Sequence, residues 1–479
     1  MVGDIEMLQK SPELRDGKKA NRGLNMIKAT ESSWATRAER RQAGKALRDK
    51  VARTAHGVWK PARRGRDPLA ILRKTDIGRV KKLLPIRYER MRQSSFAFLR
   101  GSAAIMAFDL AGTPYTGIGV QACGDAHLMN FGGFATPERN LVFDVNDFDE
   151  TLPTPWEWDI KRLAASVMVA GRYRGFTAGY CTESVLSTVR AYREKLWEYS
   201  NLSPIEVWHA RINARDVVDM VSRQDLRQLT YETAGRVHVH TAGHLLPKMT
   251  VMKGNTLKIK DDPPLVFHAP GHEGYVLIAH AFERYRSSLP DERRALLDRY
   301  RFVDEAMKVV GVGSVGTRCA IALGLAEDDE PLFLQFKEAR ASVLEPYAGK
   351  SKYGNHAQRV VIGQRAMQSA SDIFLGWSST GMPGFDFYVR QLRDMKTSVN
   401  IDMLKPADFI AYASFCGCAL ARAHAKTGDA AMISGYLGKS DNFDRALVAF
   451  SRNYSHATES DYDVLVKAIG SRKIDADTR

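Results

Sequence analysis

The sequence predicts an α+β protein with a small antiparallel sheet late in the chain and a larger, mainly helical part. Three observations predict this class. Residues 308–339 contain two apolar runs joined by an acidic turn, which is the pattern of a β-hairpin. Residues 156–175 form an amphipathic helical pattern that ends at glycine, and residues 407–470 return to helical periodicity.

Length and composition indicate an ordinary globular protein. The chain has 479 residues, of which 44% are hydrophobic and 26% charged, so it is long enough for more than one core. Its first twenty residues lack the apolar core of a secretory signal, and no stretch reaches the roughly 18 apolar residues of a membrane helix. The five cysteines include no C-x-x-C pair, which argues against a disulfide framework or a cysteine zinc site. We therefore expect a cytoplasmic protein with no membrane span.

The positive charge of the chain is concentrated at one end. Residues 1–82 contain 22 Lys and Arg against 9 Asp and Glu, within a whole-chain net charge of +15. Such a segment could bind an acidic partner, but a solvated face on helical arms is the simpler interpretation. Because no aromatic RNA motif or zinc-finger spacing accompanies it, nucleic-acid binding ranks low.

The composition changes along the chain predict four segments. Residues 1–95 form a basic, mostly helical N-terminal arm, and residues 96–304 form a helical lobe that begins with short strands around glycine-containing turns. Residues 305–400 form the sheet lobe with a glycine-rich loop, and residues 401–479 add helices that complete the helical lobe.

The stretch CGDAHLMNFG at residues 123–132 places three chemically capable side chains, Asp125, His127 and Asn130, between glycines. A short hairpin after it would return Asp147 to the side of Asn130. A carboxylate and an amide oxygen that converge in this way suit Mg²⁺, and Asp125 would be left to accept a hydroxyl proton.

Simpler interpretations of this stretch stay open. Asp125 can cap a turn, and the later carboxylates can be an exposed acidic loop: Asp144, Asp147, Asp149 and Glu150. His127 has no cysteine or histidine at ligand spacing, so a hydrogen-bonded structural histidine is favoured over a zinc ligand.

The glycines Gly311, Gly313 and Gly316 spell G-x-G-x-x-G, a pattern shared by dinucleotide-binding folds and kinase nucleotide loops. A dinucleotide fold needs a helix directly after the glycines. Residues 317–337 instead show the apolar pattern of two strands joined by an acidic turn, and the second strand ends at Lys337. A glycine loop followed by a strand that carries a lysine is the arrangement by which kinases cover and pair with nucleotide phosphates.

CGDAHLMN is similar to the H-G-D-x-H-x-x-N catalytic loop of aminoglycoside phosphotransferases and related small-molecule kinases, and NDFD is similar to their I-D-F segment. The resemblance implies that Asp125 is the catalytic base and that Asn130 and Asp147 are magnesium ligands. It also implies that Asp159, twelve residues after Asp147, supports the catalytic loop. Cys123 departs from the pattern, because the family usually has histidine there.

A second resemblance covers about residues 60–465. The segments that carry it run from RYERMRQSSFAFLRGSAA through CGDAHLMNFG, VFDVNDFDETLPTPWEWDIKRLA and GVGSVGTR to YVRQLRDMK, and they look like the bacterial family known as domain of unknown function 2252. Ser95 stands where this family tends to have proline. The resemblance indicates relatives without indicating a substrate.

The order of the kinase-like segments is inverted, because the glycine loop follows the catalytic loop by about two hundred residues instead of preceding it. Near the C-terminus, FCGCALARAHAKTG resembles the L-x-x-x-H helix that comes before the catalytic loop in these kinases. A circularly permuted, two-lobed protein kinase-like fold accounts for all three segments. The competing explanation is a coincidence between a metal-binding loop and an unrelated glycine turn.

Under the permuted-kinase interpretation, ATP lies between a sheet of residues 305–395 and a helical lobe of residues 95–300 with 405–470. The expected phosphate-binding residues are Gly311, Gly313, Ser314, Gly316 and Lys337. Glu345 is the candidate carboxylate partner of Lys337, with Gln364 as a second choice. Arg100 and His127 are expected to line the site, and an ion pair that bridges the two lobes is an equal alternative for Arg100.

The sequence therefore predicts an ATP- and Mg²⁺-dependent phosphotransferase that acts on a hydroxyl of an unidentified acceptor, with a small molecule favoured over a protein. Two enzymatic or binding alternatives remain: a nucleotide-binding pseudokinase and a nucleotidyl-transferring enzyme of the same fold. A third alternative is a scaffold that binds acidic partners through the basic arm. The oligomeric state is not predicted.

Overall fold

The computed structural model describes residues 35–60, 66–213, 215–216, 242–254, 256–268, 281–379, 385–392 and 399–476. Its helices are α1 (Arg37–Lys50), α2 (Pro68–Asp76), α3 (Leu84–Arg92), α4 (Ser95–Gly101), α5 (Ala103–Leu110), α6 (Glu157–Tyr173), α7 (Ala178–Tyr199), α8 (Pro204–His209), α9 (Ala242–Met249), α10 (Asp291–Leu297), α11 (Glu345–Ala348), α12 (His356–Met367), α13 (Pro406–Thr427), α14 (Ala430–Leu437) and α15 (Asn442–Gly470). Residues 281–287 are also helical. None of the helices in these ranges combines the length and the apolar character needed to cross a membrane.

The strands are β1 (Gly119–Ala122), β2 (Phe131–Ala135), β3 (Leu141–Val145), β4 (Leu152–Pro155), β5 (Thr250–Lys253), β6 (Thr256–Ile259), β7 (Val266–Phe267), β8 (Arg301–Lys308), β9 (Cys319–Leu325), β10 (Pro331–Ala339), β11 (Gly376–Ser379) and β12 (Asp386–Gln391). Six of them form one antiparallel sheet in the order β11-β12-β10-β9-β8-β7, and the other six form three two-stranded pairs. The predicted mixed α+β class is confirmed.

The large sheet contains the predicted hairpin. β9 and β10 pair antiparallel from Pro331 opposite Leu325 to Lys337 opposite Cys319, and the acidic turn joins them. β12 pairs with the other edge of β10, and residues 393–398, which follow it, lie outside the described part of the chain. The sheet begins earlier than residue 305, because β7 and the first residues of β8 also belong to it.

The helical part is built around α6. Residues 157–171 of this helix are all buried. The amphipathic sequence pattern predicts one exposed face, but in the fold the helix is covered on every side. α7 and α13 pack at unusually short distance, since a Cβ on Gly417 would lie 2.3 Å from the carbonyl oxygen of Thr188. This close contact positions the C-terminal end of α13 beside the loop that follows β1.

The basic N-terminal segment packs against the C-terminal helices wherever the structure describes it, while residues 1–34 lie outside the described ranges. α1 lies on α14, where a Cβ on Gly44 would come within 1.9 Å of the Met432 carbonyl oxygen. α2 to α5 share a separate apolar core with α15 that includes Leu72, Met91 and Leu465. The helices between residues 66 and 110 therefore belong to the body of the protein.

We predict that Gly417→Ala destabilises the protein by about 1–3 kcal/mol, because the added methyl group must push α13 away from α7. Urea unfolding followed by circular dichroism measures this change. Gly179→Ala in α7 is the matched control, since its Cβ would meet only the Thr177 side chain, at an ordinary contact distance of 3.8 Å. Equal stability of the Gly417→Ala protein and the wild type would contradict the close packing.

Candidate functional site

A cleft of about 630 Å³ lies where the sheet meets the N-terminal helices and the loops after β1 and β3. Its lining comes from segments that are far apart in the sequence: 70–79, 100–108, 125–130, 146–150, 311–317 and 338–347. The cleft thus brings the CGDAHLMN loop, the acidic NDFD segment and the glycine loop to one place. Lys337, which is buried beneath it, pairs with the acidic segment.

Asp159 fixes the start of the CGDAHLMN loop. Its carboxylate, in the first turn of α6, accepts hydrogen bonds from the backbone N–H groups of Cys123 at 2.8 Å and Gly124 at 3.0 Å. Gly124 has φ +83°, and a Cβ there would lie 2.4 Å from the Glu150 carbonyl oxygen, so this position requires glycine. Burial raises the pKa of the Cys123 thiol well above its ordinary value, which leaves the thiol unreactive.

His424 connects α13 to the same loop. Its Nε2 lies 3.3 Å from Asp159 Oδ2, and its Nδ1 lies 2.8 Å from the Tyr192 hydroxyl. Directly after α13, a Cβ on Gly428 would lie 3.1 Å from the Gly119 carbonyl oxygen at the start of β1. The helix that carries FCGCALARAHAKTG therefore ends beside the strand that leads into the loop.

Arg162 orients Asp125. Its guanidinium donates to Asp125 Oδ1 from Nε at 2.9 Å and from Nη2 at 2.7 Å, and Nη2 also donates to the Leu99 carbonyl. The other oxygen of Asp125 receives no hydrogen bond from this arginine, and the side chain is 22% exposed in the cleft. Arg162 is not among the residues predicted from the sequence, although its position three residues after Asp159 on one helix places both side chains on the same face.

His127 lines the cleft as a neutral imidazole. Burial lowers its pKa to about 4, and the nearby charges of Arg100 and Arg162 act in the same direction against the opposing effect of Asp125. Its Nε2 lies 3.8 Å from Asp125 Oδ2. The ring therefore packs against the carboxylate without a charge at neutral pH.

Asn130 and Asp147 lie together, as the hairpin pattern predicts. β2 and β3 pair so that Phe131 faces Val145, and Asn130 Nδ2 donates to the backbone oxygens of Asp125 and Asp147, both at 3.0 Å. This leaves Asn130 Oδ1 buried without a hydrogen-bond donor among the described residues.

A neighbouring amide repeats this feature. Asn146 Oδ1 is also buried without a donor in the described part of the chain, and both Asn146 and Asp147 line the cleft. Two free amide oxygens beside one half-exposed carboxylate fit a hard cation that takes oxygen ligands and keeps several waters, such as Mg²⁺. Across the described residues, no cluster of three or more His, Cys, Asp or Glu is arranged to hold a metal by itself.

Lys337 joins the sheet to the acidic segment. Its Nζ lies 2.6 Å from Asp149 Oδ2 and 3.8 Å from Asp147 Oδ2, and the side chain is 3% exposed. Burial alone would lower the pKa of Lys337, but the two carboxylates raise it well above its ordinary value. Although burial opposes the effect, Lys337 and Arg390 in turn hold the pKa of Asp147 below its ordinary value. The ion pair is therefore charged on both sides at neutral pH.

Asp149 is the second residue that the sequence analysis did not select. Besides Lys337, it accepts hydrogen bonds from the Ser314 hydroxyl at 3.0 Å and the Tyr388 hydroxyl at 2.8 Å. It thus ties the glycine loop, β10 and β12 to the NDFD segment. Its place two residues after Asp147 was visible in the sequence, but nothing there distinguished it from a solvated carboxylate.

The glycine loop is fixed from the side of the N-terminal helices. Gly311 and Gly316 have φ of +69° and +89°, which favour glycine. The backbone N–H of Val80 donates to the Gly316 carbonyl at 2.8 Å, and Arg90 donates to the Gly311 carbonyl. Two carbonyls of the loop are therefore held by the N-terminal segment, and Gly311, Gly313 and Ser314 line the cleft.

Glu345 is not brought to Lys337. Within the described ranges, the carboxylates within ion-pair distance of Lys337 are Asp147 and Asp149. After β10 the chain is fastened to Glu150, whose carboxylate accepts the Val343 N–H at 2.7 Å, and Glu345 begins the short helix α11. The second choice, Gln364, donates to the side chain of Gln368.

Fold and site together define a mixed α+β protein with one charged cleft built from distant chain segments. Residues 79–468 match the family described as "Uncharacterized protein conserved in bacteria (DUF2252)", and the chain belongs to this family. The family resemblance seen in the sequence is thereby confirmed. No curated protein and no solved structure matched the chain.

The Glu150 carboxyl group, which lines the cleft, makes the stability of the protein depend on pH. Burial raises its pKa to about 7, so the folded protein holds the proton that the unfolded chain releases near pH 4.5. The resulting stabilisation is complete below pH 4.5 and is lost as pH rises through 7. We expect Glu150→Gln to remove this loss, so that urea unfolding shows the variant gaining stability relative to the wild type between pH 4.5 and 7. A difference that stays constant over this range would contradict the burial of the carboxyl group.

Proposed function

We propose that the protein is an ATP- and Mg²⁺-dependent phosphotransferase that moves a phosphoryl group to a hydroxyl of an acceptor. One observation carries the proposal: a single cleft is lined by Asp125, Asn130, Asp147 and the glycine loop. Lys337 forms an ion pair with the acidic segment at this cleft. The glycine loop and Lys337 follow the other three residues by about two hundred positions in the sequence. Catalysis of this kind depends on positioning and charge neutralisation more than on covalent chemistry of the protein.

Asp125 is the proposed base. Arg162 holds one of its oxygens and so leaves the other to orient an acceptor hydroxyl and take its proton. The acceptor oxygen then forms a bond to the γ-phosphorus, while the bond from that phosphorus to the β–γ bridging oxygen breaks and ADP leaves with the electron pair. The chain itself supplies the orientation, because Asp159 and Arg162 lock the loop against α6.

Asn130 and Asp147 are the proposed magnesium ligands, and Asn146 is a further candidate. The free amide oxygens and the half-exposed carboxylate support this assignment. A Mg²⁺ ion held by these residues would neutralise the negative charge that develops on the phosphates.

Lys337 and the glycine loop are the proposed phosphate-binding elements. Lys337 keeps its positive charge, and permissive glycines at Gly311 and Gly313 allow backbone N–H groups to approach an anion. Asp149 accepts hydrogen bonds from both Lys337 and the Ser314 hydroxyl, so it sets the position of the lysine relative to the glycine loop. In this protein Asp149 takes the place of the helix carboxylate that holds the corresponding lysine in kinases.

The connectivity supports a permuted kinase-like arrangement. β8, the glycine loop, β9 and β10 follow one another in the chain, and the three strands lie side by side in the sheet with Lys337 near the end of β10. In the helical part, α13 ends beside β1, so joining them would restore the order in which the histidine helix precedes the catalytic loop. Both features agree with the circular order that the sequence resemblance implies.

We predict that Lys337→Met and Asp147→Ala each weaken Mg²⁺-dependent ATP binding by about 10-fold or more, because each removes a charged contact to the bound nucleotide or its metal. Isothermal titration calorimetry with ATP and Mg²⁺ measures the effect. Lys253→Ala is the control, since Lys253 is 61% exposed and is not part of the cleft. Absence of ATP binding to the wild-type protein would contradict the proposal.

We predict that Asp125→Asn lowers phosphoryl transfer by about 10²- to 10⁴-fold and leaves ATP binding unchanged, because the amide cannot take the proton. The assay follows ADP formation with water and a panel of hydroxyl compounds as acceptors. Asp261→Asn, outside the cleft, is the control. Wild-type protein that binds ATP but forms no ADP with any acceptor would indicate nucleotide binding without transfer.

A further inference from the structure

Arg100 lines the cleft together with the glycine loop and the loop that carries Asp125. It lies in the last turn of α4, and its backbone oxygen would be 3.4 Å from a Cβ on Gly313. The preceding residue, Leu99, accepts a hydrogen bond from the same Arg162 Nη2 that binds Asp125. Arg100 thus stands beside both the glycine loop and the loop that carries the proposed base.

The guanidinium of Arg100 has no protein partner among the described residues. Throughout those ranges it makes no hydrogen bond or ion pair, and its Nε is buried without an acceptor. Two other arginines at the cleft are engaged: Arg79 binds the Val315 carbonyl, and Arg390 binds the Gln335 side chain. Burial lowers the pKa of Arg100, and the nearby Asp125 acts in the opposite direction.

An unpaired, partly buried cation that lines a cleft is suited to bind an anion. The desolvation of a guanidinium is unfavourable unless charge-assisted hydrogen bonds replace its water, and phosphate oxygens match its planar donors. The neighbouring carboxylate, Asp125, is already paired on one oxygen with Arg162. We therefore expect the anion to lie beside the Arg100 guanidinium, in the part of the cleft that Gly313 and Asp125 also line.

We propose that Arg100 is a further catalytic residue that binds the phosphoryl group being transferred, namely the terminal phosphate of the nucleotide. This inference rests on the proposed function. As the bond to the acceptor oxygen forms and the bond to the β–γ bridging oxygen breaks, Arg100 neutralises negative charge on the oxygens that remain on the γ-phosphorus. Arginine residues supplied within one chain have this role in other phosphoryl-transfer enzymes.

The test compares ATP with ADP. If Arg100 contacts the terminal phosphate, Arg100→Ala weakens Mg²⁺-dependent ATP binding by about 10- to 100-fold and leaves ADP binding unchanged. Arg100→Lys, which keeps the charge but not the fork of donors, retains part of the preference for ATP. Lys82→Ala is the matched control, because Lys82 is an exposed cation of the same N-terminal segment that does not line the cleft. Calorimetry with each nucleotide gives the affinities, and thermal unfolding verifies that each variant is folded.

The outcomes separate this inference from the proposed function. If Lys337→Met weakens ATP binding but Arg100→Ala has no effect, or lowers ATP and ADP affinity equally, the role of Arg100 is wrong and the nucleotide site stands. If the wild-type protein binds neither nucleotide, both proposals fail. Selective loss of ATP affinity in Arg100→Ala, with Lys82→Ala equal to the wild type, supports the contact with the terminal phosphate.

Discussion

The hydrogen bonds from Cys123 and Gly124 to the Asp159 carboxylate are the constraint on which the site depends. They hold the CGDAHLMN loop on the N-terminal turn of α6, a helix that is buried along nearly its whole length and is therefore a rigid support. Arg162, one turn further along this helix, orients Asp125, and His424 brings α13 to the same carboxylate. Asp159 thereby fixes the loop and a helix from the other end of the chain, and Arg162 on the same helix fixes Asp125.

A second carboxylate, Asp149, connects the sheet to this helical support. Its contacts to Lys337, Ser314 and Tyr388 join three separate parts of the sheet lobe to the NDFD segment. Arg359 donates to the backbone oxygen of Asp149 and to that of Thr151, so the acidic segment is itself held in place. The cleft is therefore shaped by ion pairs and charge-assisted hydrogen bonds, which are directional and keep their geometry when buried.

Where the structure describes it, the basic N-terminal segment forms part of the cleft and is not a separate solvated arm in the fold. As sequence it looks like a solvated arm, since residues 1–82 hold 22 lysines and arginines against 9 acidic residues. In the fold, α2 to α5 form one wall of the cleft, with Val80 and Arg90 holding the glycine loop and Arg100 lining the space near Asp125. Part of the excess positive charge thus lies where a phosphate-bearing ligand would be bound.

The sequence by itself determined the mixed class, the β9–β10 hairpin, the return of Asp147 to Asn130 and the family, because these follow from local periodicity, turn chemistry and short motifs. Only the tertiary structure decided that Asp149 and not Glu345 pairs with Lys337, and that Arg162 holds Asp125. The Arg162–Asp125 contact joins residues 37 positions apart, and the Lys337–Asp149 contact joins residues 188 positions apart. Such pairs are chosen by the packing of whole elements, and a single sequence carries no local signal for them.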